Sequence, residues 1–195
     1  MLFAPLLLHV GFVVHPPEPH DAAQLLDVIT TNTGRWNVAH LTFALSMVFS
    51  LPAIVGLIGL LEHRGGGRFG LIGGSLAVVG VIFFTLFIGI ELAMSAIASV
   101  PLEQHAAIEP AMQALVDFDG PLPLVFVCLS LNLGLLVLGV GLISTQAAPG
   151  WAGVAIEVAA VVLAGGLFSN LIGAVGAAVL LVGLGMISLR VLKPF

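Results

Sequence analysis

Histidine and acidic side chains are the groups in this sequence whose types could do chemistry. His9, His40 and Glu91 lie within apolar stretches, where an ionisable side chain is costly and is a functional candidate for that reason. Neutral imidazole nitrogens bind zinc, copper and haem iron, and a carboxylate can complete such a site or accept the second ring proton of a ligating histidine. We therefore predict that His9, His40 and Glu91 form a cofactor-binding set, with haem b or a transition metal as the cofactor class.

A metal alone would draw on a third histidine. His15 follows the first apolar stretch, so the predicted metal ligands are His9, His40 and His15. Their spacing is not diagnostic, because residues six apart point to different faces of a helix, unlike an i, i+4 chelating pair. The sequence contains no HExxH or CxxC motif, and Cys128 is its only cysteine. An interfacial role for His40 and an ordinary loop role for His15 stay open as alternatives.

Transport is the alternative that the remaining polar residues suggest. Glu91, Asn132 and Glu157 fall in three different apolar stretches and sketch a broken path from one side of a membrane to the other. Intramembrane carboxylates are typical of ion and proton pathways. Packing and helix-to-helix hydrogen bonding explain Asn132 and Glu157 equally well.

The composition indicates a membrane protein. Hydrophobic residues make up 59% of the 195 residues and charged residues 8%, and the mean hydropathy is +1.21. An ordinary soluble domain is about 25% charged. The five Lys and Arg residues are too few for a basic nucleic-acid-binding surface. Enzymatic chemistry is the least supported class, because we find no nucleophile paired with a base and no phosphate-binding loop.

The apolar runs predict an all-α, polytopic transmembrane bundle of about six spans, which forms one membrane domain over residues 1–195. The last run is too long for one helix across a hydrocarbon layer of about 30 Å. Gly165, Gly166, Ser169 and Asn170 supply the turn residues at which it would break. The first and fifth spans are then short. The predicted spans are 1–14, 38–61, 71–100, 122–143, 151–168 and 171–189.

The basic residues predict the orientation. Lys and Arg near span ends favour the cytoplasmic side. Six spans place Arg64, Arg68, Arg190 and Lys193 on one side. We therefore predict a multi-pass protein of the cell (inner or plasma) membrane with both termini in the cytoplasm.

Two short interfacial helices are predicted on the outer side. Asp21 and Gln24 have the spacing of a capping box, with an apolar side following them. A second helix over 103–116 would turn Met112 toward the membrane. Trp36 and Trp151 stand at the starts of spans, where indole rings anchor at the headgroup level.

These observations favour an integral membrane accessory or scaffold protein of a larger assembly, with a haem or metal at the outer histidines. The plan is similar to that of b-type membrane cytochromes, whose haem lies between helices on two axial histidines. A small ion, proton or solute carrier is the alternative. The predicted partners are the lipid bilayer and other membrane subunits or a second copy of the chain, and no nucleic acid.

Overall fold

The computed structural model is helical throughout its regular structure and describes residues 1–19, 21–118, 121–167 and 169–192. Side chains are described for these residues except 118, 121–128, 167 and 192. The helices are α1 (Phe3–Val14), α2 (Ala22–Thr31), α3 (Thr33–His63), α4 (Gly67–Ala98), α5 (His105–Phe118), α6 (Pro121–Ser144), α7 (Gly150–Ala164) and α8 (Asn170–Leu192). The prediction of an all-α protein is confirmed over this part of the chain.

Three of these helices are long and apolar enough to cross a membrane: α3, α4 and α8. Shorter apolar helices are Phe3–Val14, Leu129–Ser144 and Gly150–Ala164. At about 1.5 Å per residue, the 32 residues of α4 extend well beyond a hydrocarbon layer of about 30 Å. The chain is therefore built for a lipid environment, as the composition predicts.

The six apolar helices form a closed ring in the order α1, α3, α4, α6, α7 and α8, with α8 back against α1. Neighbours in the ring run antiparallel. On α4, for example, Gly73 lies against Leu138 of α6, whereas Gly80 lies against Leu131. The ring closes on one apolar core, in which Leu57 of α3 is 1% exposed.

The contact between α4 and α6 is a backbone-to-backbone approach. A Cβ atom added at Gly80 would lie 2.4 Å from the Leu131 nitrogen, and one at Gly134 would lie 2.4 Å from the Ala77 nitrogen. Glycine permits this distance because it has no side chain, and the gain is van der Waals contact along both helices. This seam fixes how α4, which carries Glu91, sits in the ring.

The helices α2 and α5 form a lid over one end of the ring. Asp21 caps α2 by accepting a hydrogen bond from the Gln24 backbone N–H at 3.0 Å, as predicted. The prediction that Met112 faces the membrane is wrong. Met112 is 0% exposed and packs with Leu25, Leu26 and Ile29 of α2 above the ends of α3 and α4. The apolar side of α5 is thus covered by protein.

Charge is distributed unevenly between the two ends of the ring. Arg64 follows α3, Arg68 lies in the first turn of α4, and Arg190 lies in the last turn of α8. The antiparallel arrangement puts all three at the end where α1 begins. Lys193 lies outside the described residues. The lid is at the opposite end and carries Asp21, Asp27, Glu109 and Asp117.

The last apolar run is interrupted where the glycines predicted a break. Helix α7 ends at Ala164, a 3₁₀ turn follows over Gly165–Leu167, and α8 begins at Asn170. The 15 residues of α7 and the 12 residues of α1 are short, as expected for the fifth and first apolar helices. This turn lies at the lid end of the ring, where Asn170 meets the segment that follows α1.

Candidate functional site: a buried histidine–carboxylate cluster

His40 and Glu91 meet beneath the lid. His40 lies on α3 and is 2% exposed, and Glu91 lies on α4 two turns before that helix ends and is 1% exposed. The His40 Nε2 atom is 3.6 Å from the Glu91 Oε2 atom. The structure thus brings together two of the three residues predicted to hold a cofactor.

Trp36 connects the two side chains. Its indole N–H donates a hydrogen bond to the Glu91 backbone carbonyl at 3.0 Å, and its own carbonyl accepts a hydrogen bond from the His40 ring at 2.7 Å. Trp36 is 0% exposed, so the prediction that it anchors at the headgroup level is wrong. The four-residue spacing of Trp36 and His40, which puts them on one helix face, is a sequence signal that could have indicated this pair.

His15 completes the cluster from the segment after α1. Its ring lies edge-to-face on His40 with centroids 4.9 Å apart, and 5.1 Å from the Trp36 ring. Asn170 holds this segment by donating from Nδ2 to the carbonyls of His15 and Pro16 at 3.3 and 3.2 Å. Burial lowers the pKa of His15 below its usual value, which favours the neutral ring.

The hydrogen bonds fix which ring nitrogens carry protons. His40 Nδ1 faces the Trp36 carbonyl and His15 Nδ1 faces the Pro16 carbonyl, at 2.6 Å for the latter. A carbonyl oxygen only accepts, so each Nδ1 is the protonated nitrogen. In the neutral rings, both Nε2 atoms then present lone pairs, and that of His40 is directed at Glu91.

His9 is oriented toward α8 instead. Its Nδ1 lies 2.9 Å from the Ala174 carbonyl, so it also donates from Nδ1 to a backbone oxygen. On α1, His9 is about 9 Å further from the lid than His15. Its contacts in the described structure are with the ring seam between α1 and α8. The prediction that it joins His40 and Glu91 in holding a cofactor stays a prediction.

Asn132 lies deeper in the ring than Glu91. It is 7% exposed on α6, next to Leu131, which lies against Gly80 of α4. At about 1.5 Å per residue along α4, the levels of Gly80 and Glu91 differ by roughly 16 Å. The two polar side chains therefore belong to different depths.

Glu157 lies near the other end. It packs on α7 against Gly139 of α6, roughly 10 Å further from the lid than Asn132. Between these levels, a cavity of about 40 Å³ is lined almost entirely by apolar side chains, with Ser46 and Ser50 as its hydroxyl groups. Both hydroxyls donate to backbone carbonyls. The transport path that the sequence suggested through Glu91, Asn132 and Glu157 is therefore interrupted by apolar side chains between these residues.

The metal ligands predicted from the sequence are only partly brought together. Among the described side chains, no group of three or more His, Cys, Asp or Glu residues is arranged to hold a metal ion. The direct contact between the rings of His15 and His40 leaves no space for a porphyrin between them. The geometry suits a small occupant of the space between His40 Nε2 and Glu91 Oε2.

The site also includes residues that the sequence did not single out for it. Trp36 and Asn170 were assigned to a membrane interface and to a turn, and Ser95 donates to the Asn37 side chain at 2.8 Å one turn after Glu91. Comparisons with protein-family models, with curated proteins and with solved structures find no match for this chain.

Proposed function

We propose that this protein is an integral membrane carrier of six spans whose cycle is gated by a proton bound between His40 and Glu91. The observation that carries the proposal is the 3.6 Å approach of His40 Nε2 to Glu91 Oε2 in a fully buried position. An ionised carboxylate and a bare imidazole nitrogen each present a lone pair there. One proton on either atom makes the contact attractive.

The surroundings of His40 and Glu91 favour reversible binding of a proton. The Trp36 ring lies 4.6 Å from the His40 ring, so its π face stabilises a positive charge on His40. The lid excludes bulk water in this conformation, and proton exchange requires it to open. Between the levels of Glu91 and Glu157 the interior of the ring is apolar apart from Asn132 and the Ser46 and Ser50 hydroxyls, which supports the absence of a continuous leak that a carrier with alternating access requires.

The ring supports the count of six spans. Neighbouring helices alternate in direction, and the shorter apolar helices α1, α6 and α7 pack side by side with the three longer ones. Helices of 12 and 15 residues span by local thinning of the bilayer. The three arginines at one end support a cytoplasmic location for that end and for both termini.

Trp36 provides a direct test of proton binding. A background of Trp151→Phe and His15→Gln leaves Trp36 as the only tryptophan of the chain and removes the second imidazole beside its ring. Because protonated imidazole quenches indole emission, we expect its fluorescence in nanodiscs to fall as the pH is lowered. His40→Gln should abolish the transition, and Glu91→Gln should shift its midpoint. The exposed pair Glu62 and His63, at the opposite end, provides Glu62→Gln and His63→Gln as matched controls.

Vesicles test the carrier. An imposed pH gradient should acidify vesicles that contain the wild-type protein at least about tenfold faster than vesicles with Glu91→Gln, since the proton site is lost. Fluorescence that does not change with pH would overturn proton binding. Fluorescence that titrates in a protein that moves no protons would overturn the carrier and leave the proton site.

A metal-binding accessory subunit is the second candidate, and the ring tautomers favour it. Histidines that bind metals usually donate the other ring N–H to a carbonyl or carboxylate, as His9, His15 and His40 all do. Elemental analysis and an absorption spectrum of protein purified with its partners separate the two functions. Stoichiometric metal or haem that is lost in His40→Gln would favour this candidate over the proton.

A further inference from the structure

Glu157 lies on the outer side of the ring, at the groove between α6 and α7. The α7 face beside it is exposed and apolar, with Val154, Val158 and Val161 exposed by 48, 46 and 64%. On the α6 side of the groove, Val140 and Ile143 are 46 and 36% exposed. We call these five residues and Glu157 the Glu157 surface. It combines one half-buried carboxylate with an apolar, lipid-facing patch.

The depth of Glu157 sets it apart from the other acidic residues at that end. Trp151 is 49% exposed at the start of α7, where an indole marks the membrane interface. Glu157 is six residues further along the helix, which is roughly 9 Å deeper. A carboxylate at this depth requires a polar partner.

Among the described residues, none supplies a cation to Glu157. In the part of the chain that the structure describes, the one approach within 4.0 Å between a basic and an acidic side chain is that of His40 and Glu91. Arg190, on the neighbouring helix α8, lies in its last turn, about 13 Å along that helix from the level of Glu157. Gly139 and Gly153 bring α6 and α7 close together, and the Glu157 side chain packs over Gly139 in the groove between them.

We propose that the Glu157 surface docks a transmembrane helix of another protein, which contributes a Lys or Arg side chain to Glu157. The negative charge of Glu157 indicates that the docked helix carries a positive side chain. Lipid tails offer the carboxylate no hydrogen bond, whereas a basic side chain at the same depth pairs with it and is itself shielded from hydrocarbon. The exposed valines provide the flat apolar contact on either side. This inference concerns a different end and face of the ring from the proton site.

The test uses a defined probe. Two labelled transmembrane peptides of Leu and Ala are compared. The Lys peptide carries a single Lys about 9 Å from its cytoplasmic end, and the Leu peptide carries Leu at that position. Each is mixed with the labelled full-length protein in lipid vesicles. Energy transfer reports association. The Lys peptide should bind the wild-type protein about fivefold more tightly than the Leu peptide does, as expected for one interhelical polar contact. Glu157→Gln should reduce that difference severalfold, and Glu62→Gln should preserve it.

Two results would overturn the proposal. Equal binding of the two peptides would mean that the Glu157 carboxylate reaches headgroup water instead of a partner. Self-association of the wild-type protein that excludes the Lys peptide and is lost in Glu157→Gln would mean that a second copy covers the surface. The fluorescence response of Trp36 to pH should be the same in Glu157→Gln and wild type, so this test is separate from that of the proton site.

Discussion

Trp36 connects more of the buried cluster than any single sequence signal implied. Its carbonyl orients His40, its indole N–H reaches the backbone at Glu91, and its ring contacts both His40 and His15. A phenyl ring at this position would fill less of the buried space and would lose the hydrogen bond to α4. Trp36 therefore acts as a positioning residue for the two side chains that we propose share a proton.

His15 makes folding stability depend on pH. Its pKa is lowered in the folded protein, mainly by burial, while the Glu18 carboxylate acts in the opposite direction. The unfolded chain thus binds a proton at a pH where the folded protein does not. The stability contributed by neutral His15 is fully present above the ordinary histidine pKa of about 6.5 and is lost as the pH falls below it.

Thermal unfolding in mild detergent measures this dependence. Between about pH 8 and about pH 5, we expect the wild-type midpoint to fall and the His15→Gln midpoint to fall less. The exposed His63 serves as the control, because His63→Gln should follow the wild type. An identical slope in His15→Gln and wild type would contradict the role of His15 burial.

The sequence identified His40 and Glu91 as candidates because each is an ionisable residue in an apolar run. It could not show that they touch, because that depends on the register between α3 and α4. His15 was harder to recognise. It stands in a proline-rich segment outside any span, and its burial depends on the lid and on Asn170, both distant in the chain.

The seam between α4 and α6 is the helix contact least tolerant of added volume. A methyl group at Gly80 would meet the Leu131 backbone, which cannot rotate away. We expect Gly80→Ala to destabilise the protein by about 1–3 kcal/mol, as overpacking does. Unfolding by titration with a denaturing detergent measures the change.

Gly89 on the same helix is the matched control. No atom outside its own helical neighbourhood lies within 4 Å of a Cβ built there. Gly89→Ala should leave the stability unchanged or raise it slightly, because alanine is the better helix former. Equal destabilisation by Gly80→Ala and Gly89→Ala would mean that helix propensity, and not the contact with α6, decides the outcome.

The positions of the helices in the chain could be predicted from nearby residues, but what each helix packs against could not. The cap at Asp21 and the break after Ala164 depend on nearby residues, so the sequence could place them. Met112 shows the limit. An apolar side on a short amphipathic helix fits a membrane surface or another helix equally well, and only the position of α2 decides between them.

The topology of the ring can be tested by labelling. In a Cys128→Ala background, Glu62→Cys and Glu109→Cys place single thiols at exposed positions at opposite ends of the ring. With six spans and a cytoplasmic amino terminus, a membrane-impermeant maleimide should label Glu109→Cys in intact cells and Glu62→Cys only after lysis. Labelling of both in intact cells, or the reverse pattern, would contradict the proposed orientation.

The closure of the ring by α8 has a consequence for synthesis. The ribosome makes α1 before α8, yet His9 bonds to Ala174 and the His15 segment bonds to Asn170, both on α8. Until α8 is inserted, the polar groups of α1 and of the segment after it lack these partners. The buried cluster is therefore completed only after α8, and a nascent chain that stalls before α8 exposes a polar defect that membrane quality control can recognise.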